Sequence, residues 1–137
     1  MARREPSPIE AFETRAREYL LVHRRIAGDF ERSLKNARQF IKLASRSLEQ
    51  EPDGTIQMLE QIREIDLLGH VTQQYDEYQG VMALLPQDLV QGDPTLPDSR
   101  VQSEIKAMRA RYEAIVQEAE SQAEDLEKIL SALTTPH

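Results

Sequence analysis

The chain has 137 residues, enough for one modest hydrophobic core and too few for two, and its 39% apolar content comes mainly from Leu, Ile, Val and Ala, with no Trp. With no cysteine, it has no disulfides, thiolate metal sites or thiol chemistry, and a reducing, cytoplasmic compartment is the expected localisation. The net charge of −7 argues against a general nucleic-acid binder, since affinity for a phosphate backbone comes from excess Lys and Arg.

The charge is unevenly placed. Residues 1–50 carry 11 basic and 7 acidic groups, residues 51–137 carry 6 and 17, and no Lys or Arg falls between Arg63 and Arg100. The longest apolar run, Val81 to Leu85, has five residues, far below the ~20 needed for a membrane-spanning helix. A soluble chain without membrane association is expected.

Residues 1–7 read as a mobile N-terminal tail. Ser7, Pro8 and Glu10 form a capping-box pattern with Pro at the first helical position, where its missing N–H costs nothing. The pattern predicts a first helix over about 8–50 with an apolar stripe through Ile9, Phe12, Ala16, Tyr19, Ile26, Phe30, Leu34, Ala37, Ile41, Ala44 and Leu48. His23 occupies a seam position, and two four-residue steps meet near Phe30, a stutter that relaxes supercoiling. Gly28-Asp29 is the one place where this helix would divide, giving four helices rather than three. Glu51-Pro52-Asp53-Gly54 is a break, and Thr55 is the expected cap of a second helix over 55–85. Its stripe, from Met58 and Leu59 through Ile62, Ile65, Leu68, Val71, Tyr75, Tyr78 and Met82 to Leu85, is less regular. Residues 86–98 contain three prolines and read as a long connection.

Ser99 to Gln102 repeats the capping-box pattern and predicts a third helix over 99–133. Its heptads are the cleanest in the chain: Val101, Ile105, Met108, Tyr112, Ile115, Ala119, Gln122, Leu126, Ile129 and Leu133. Gln122 on this seam either sets register or marks a wet stretch of the bundle. Together the elements predict an all-α fold: an elongated antiparallel three-helix bundle with coiled-coil-like packing, forming one domain over residues 8–135.

Two surfaces of the first helix are candidates for binding. On a helical wheel Arg17, Arg24, Lys35, Lys42 and Arg46 form a narrow basic ridge. Glu13 and Glu31 lie one turn before Arg17 and Lys35, so part of this ridge reads as paired, solvated charge. The acidic run Glu113, Glu118, Glu120, Glu124, Asp125 and Glu127 would favour placing the first and third helices side by side. Tyr19, Leu20, Leu21 and Val22 spread apolar groups around more than half of the helix, and the first helix outreaches the other two. A protein partner or a second copy is expected to cover this surplus, unless the second helix or the 86–98 connection folds back over it.

Signals for chemistry are sparse. His23, His70 and His137 form no metal-ligand pair, the five glycines are scattered, and no phosphate loop is present. No metal and no cofactor are expected. Arg17-(x5)-His23 and Arg63-(x6)-His70 resemble the Arg-x4–6-His motif of HEPN ribonucleases, and the resemblance extends over these residues only. It implies a His for proton transfer and an Arg for phosphate charge, acting on RNA at a dimer interface. The expectation drawn from the whole chain is instead a non-catalytic scaffold, adaptor or small subunit, with a nucleic-acid-associated subunit using the basic ridge as the alternative.

Overall fold

A computed structural model describes residues 8–47, 50–83 and 100–134, and the expected tail, the cap serines Ser7 and Ser99 and the 86–98 connection lie outside them. The described residues form four helices: α1 (Pro8–Ser47), α2 (Pro52–Ile65), α3 (Leu67–Ala83) and α4 (Arg100–Thr134). Across them the fold is an all-α bundle, as expected. Its division into four differs in position from the expected one.

Helix α1 passes through Gly28 unbroken. A Cβ added there would meet only Arg111 Nη2 at 3.8 Å, an ordinary contact, so the backbone does not require glycine. The break comes at Asp66. This residue adopts a left-handed conformation (φ 51°, ψ 58°) and its N–H donates to the Arg63 carbonyl, closing α2. Its side chain then opens α3, with Gly69 N–H donating to Asp66 Oδ1 at 3.1 Å. A Cβ at Gly69 would crowd that carboxylate and force it to shift from its bond to the Gly69 N–H.

Phase explains why one helix cannot replace α2 and α3. Thr55 and Leu59 are the buried residues of α2, whereas Val71, Tyr78 and Met82 are those of α3. At 3.6 residues per turn these two faces differ by roughly 140°. A continuous helix would leave one set in water, and the left-handed residue supplies the missing rotation. The start of α2 also differs from expectation. Pro52 occupies the first turn after Glu51, and Thr55 sits inside the helix, its hydroxyl donating to the Glu51 carbonyl at 2.8 Å instead of capping.

The seam of α1 is cleaner than its larger residues suggested. Buried positions run Leu20, His23, Ala27, Leu34, Ala37, Ile41 and Ala44, with Phe30 half-buried between Ala27 and Leu34. From Leu20 on the steps alternate three and four, so no stutter exists at Phe30; two consecutive four-residue steps fall earlier, through Phe12, Ala16 and Leu20, all buried. Leu20 and Ala27 take the places assigned to Tyr19 and Ile26. The seam of α4 follows expectation through Leu126 and then moves to Leu130, leaving Ile129 half-buried.

Two core clusters result. The larger joins the N-terminal parts of α1 and α4 to α3, including Phe12, Leu20, Val71, Tyr78 and Tyr112; the smaller joins Ile41 and Ala44 of α1 to Leu59 of α2 and to Leu126 and Leu130 of α4. Gln122 lies where they meet and is 3% exposed, so the seam there is dry, contrary to the wet alternative. Its amide donates to the Leu34 carbonyl at 2.7 Å and to Glu118 Oε1 at 3.0 Å, which satisfies the buried donor.

Helices α1 and α4 run parallel, and α2 and α3 run against them: Tyr78 bonds the Ile105 carbonyl, Tyr75 bonds Glu113, and Arg63 faces Glu127. A ladder of ions flanks the parallel pair at heptad intervals. Arg24 meets Glu104 at 3.3 Å, Arg111 Nε donates to both Glu31 oxygens at 3.1 Å, and Arg38 Nε donates to Glu118 at 2.9 Å, with Asp125 also in contact. These are e positions of α1 against g positions of α4. Signs alternate over Arg24, Glu31 and Arg38 and over Glu104, Arg111 and Glu118, so a one-heptad slip would place Arg24 against Arg111 and Glu31 against Glu118, with only Arg38 still facing an acid, Asp125. Each rung is solvent-accessible and worth ~0–1 kcal/mol; the ladder sets register more than stability.

Candidate interaction surface

Because the seam of α1 faces α2, α3 and α4, the opposite face of the helix looks outward. On that face Leu21 is 69%, Val22 55% and Leu43 58% exposed, and Phe40, 42% exposed, stands on its flank beside the seam residues Ala37 and Ile41. They form two apolar pairs separated by the polar residues Arg25, Asp29, Arg32, Ser33 and Asn36, all exposed. Of the four residues expected to bind a partner, Leu21 and Val22 lie here. Tyr19, 38% exposed, stands at the edge of the seam. Leu20 is a correction: it is 1% exposed and belongs to the core, because it falls seven residues before Ala27 and fourteen before Leu34 on the heptad line. Phe40 and Leu43 were missed by sequence reading. Their placement, Phe40 five turns beyond Val22 and Leu43 about six turns beyond Leu21, is the signal that would have found them.

The basic ridge is exposed along its length but is only partly free. Arg17 lies 4.0 Å from Glu13, and Arg24 is a rung of the ladder. Glu31 is turned toward Arg111 and away from Lys35, the partner its spacing suggested. Among the described residues no ion pair involves Lys35, Lys42 or Arg46. Lys35 and Lys42 overhang a shallow groove between α1 and α4 that also contains Glu31 and Glu118. Both carboxyls are held below the usual range, Glu31 by its hydrogen bonds from Arg111 and Glu118 by those from Gln122 and then Arg38. They remain anionic at neutral pH, so the groove presents mixed charge.

The polar centre of the bundle is a His–Tyr cluster. His23 Nδ1 and the Tyr112 hydroxyl share a hydrogen bond of 2.8 Å, its direction set by the imidazole tautomer. The His23 ring lies edge-on to Tyr78 and Tyr112 at centroid distances of 5.0 and 5.8 Å. Burial lowers the His23 pKa below its ordinary 6.5, with the Glu77 charge opposing in part. It pushes both tyrosines up to about 12. All three are neutral at pH 7, and His23 is 5% exposed.

A pH dependence follows. Between the lowered folded pKa of His23 and its unfolded value near 6.5, the unfolded chain binds more protons. Stability is therefore complete above about pH 6.5 and declines on acidification through that window. The lowered carboxyls Glu31 and Glu118 lose their contribution only below the ordinary glutamate value of 4.5. Urea midpoints should accordingly be lower at pH 5.5 than at pH 7.5 for the native chain, and the difference should shrink in His23→Gln. An equal difference in both chains would assign the effect elsewhere.

The two Arg-His pairs do not converge. Arg17 projects from a different side of α1 than buried His23. Arg63 and His70 sit on different helices either side of Asp66, with Arg63 3.7 Å from Glu127. No cluster of three or more His, Asp or Glu that could hold a metal occurs among the described residues, and none of their helices is long and apolar enough to cross a membrane. Comparison with protein-family models, curated proteins and solved structures found no match to the chain.

Proposed function

We propose that the chain is a non-catalytic helical interaction protein, a scaffold, adaptor or small subunit, and that the outward face of α1 receives its partner. The observation that carries this reading is the pair of exposed apolar groups, Leu21 with Val22 and Phe40 with Leu43, on a helix whose other face is already filled. Monomeric surfaces expose single apolar residues freely, but large ones aligned on one helical face suit a second helix. The buried, neutral His23 and the divergent Arg-His pairs favour binding over catalysis.

A nucleic-acid-associated role rests on Lys35, Lys42 and Arg46. The anionic Glu31 and Glu118 beside the lysines weaken it, and no exposed aromatic interleaves with the ridge to stack a base.

Capture on tagged chain from its native cells, at low and high salt, tests the choice. A stoichiometric protein retained at high salt by the native chain and lost from Leu21→Asp/Leu43→Asp is expected. Equal recovery by both chains would remove the face from consideration, and a salt-sensitive nucleic acid lost on reversing Lys35 and Lys42 would favour the ridge.

A further inference from the structure

Resting on that reading of the α1 face, we infer that its occupant is a second copy of the chain, docked antiparallel across a two-fold axis near residues 30–32. The arrangement of the face is self-complementary, which an isologous interface requires and a foreign partner does not. Counted at 3.6 residues per turn, Val22 and Phe40 share an azimuth, five turns apart and equally distant from residue 31. Leu21 and Leu43 lie on the other flank, centred within a residue of the same point. Turning a second α1 end for end therefore brings Val22 onto Phe40 of the second copy on one flank and Leu21 beside Leu43 on the other.

Charge selects the same orientation. Asp29 and Arg32, exposed and paired within the chain, straddle the axis, so each carboxylate gains the guanidinium of the second copy. Arg25 falls opposite Asn36. A parallel pairing would instead stack Arg25 on Arg25, Asp29 on Asp29 and Arg32 on Arg32, with like charges in successive layers. The ion ladder to α4 lies on another side of α1 and is left intact. The face spans about 33 Å from Leu21 to Leu43, a single helix pair at the small end of specific interfaces, so association in the micromolar range is expected.

Sedimentation of the full chain between about 1 and 300 μM reads this directly. The native chain should pass from monomer to dimer. Asp29→Arg and Arg32→Asp should each weaken association at least about 10-fold, while an equimolar mixture of the two, and the chain carrying both changes, should recover it. Since the chain has no cysteine, Val22→Cys and Phe40→Cys give a second reading without background. Mixed Val22→Cys and Phe40→Cys chains should crosslink to each other in preference to themselves. A chain that stays monomeric throughout, single charge variants that dimerise as well as native, or a preferred Val22→Cys self-crosslink would each overturn the two-fold seam. Those results leave the broader interaction reading standing, and it falls only if the capture experiment finds Leu21→Asp/Leu43→Asp equal to native.

Discussion

Leu20→Asp should unfold the bundle or destabilise it by at least about 4 kcal/mol, whereas the adjacent Leu21→Asp should change the stability of the monomer by no more than about 0.5 kcal/mol. Leu20 is 1% exposed within the larger core cluster, and Leu21 is 69% exposed one residue further along. Removing the buried isobutyl group forfeits about 1.5–3 kcal/mol, and a carboxylate left there has no cation within the apolar cluster to pair with. Against a typical total of about 5–15 kcal/mol, that loss decides whether the chain folds. Helicity and urea denaturation of the two variants at low micromolar concentration check the contrast. Dilution matters because any self-association of the α1 face would make the Leu21 variant's stability depend on concentration. A helical, normally stable Leu20→Asp chain would place the α1 seam wrongly.

Tyr112→Ala should cost about 4–5 kcal/mol, the second largest single effect expected. Tyr112 is fully buried, with its ring against Tyr78 at 5.3 Å and Tyr75 at 5.8 Å, so truncation opens a cavity where α1, α3 and α4 meet. It also strips His23 of its partner. Tyr112→Phe isolates that second contribution: the ring stays, the hydroxyl goes, and a buried imidazole nitrogen left unpaired costs about 1–3 kcal/mol. Removing both polar partners, in Tyr112→Phe/His23→Leu, should cost less than the sum of the two single changes, because neither is then left unsatisfied. A double-mutant cycle by urea denaturation measures this coupling. Strict additivity would mean that the 2.8 Å contact carries no net energy.

The ion ladder and the His–Tyr cluster do different work for the fold. Apolar heptads alone would allow α4 to slide along α1 by seven residues with little loss of burial. Alternating signs at Arg24, Glu31 and Arg38 oppose that slide, and the bonds of Gln122 and Tyr112 to particular partners in α1 oppose it again from inside. Register in this bundle is thus specified by polar groups, while its stability comes from the apolar ones.

The helices were legible because their evidence is local. The heptads of α4 and the proximity of opposite charges on α1 and α4 follow from periodicity, and His23 reads as a packed residue from its place on the seam. Continuity through Gly28 also followed, since the apolar stripe keeps phase across it. The Asp66 break was less legible. Leu68 and Ile65 make the stripe look continuous, yet Ile65 is 55% exposed and the buried face rotates after it. Comparing the azimuth of Leu59 with that of Val71, Tyr78 and Met82 would have exposed the change of phase.

The sequence by itself determined what is set by nearest neighbours along the chain: all-helical structure, the approximate helix limits, and the amphipathic faces, since propensity, caps and the 3.6-residue period act within a few turns. Only the tertiary structure decided which of two adjacent leucines is core. Leu20 and Leu21 are chemically identical, and the choice between them depends on where α3 and α4 lie against α1. The same packing turned Glu31 from Lys35 to Arg111 and left Phe40 and Leu43 outward beside Leu21 and Val22. Burial and pairing are properties of the assembled bundle, because each requires atoms that are distant in the chain to arrive at the same place.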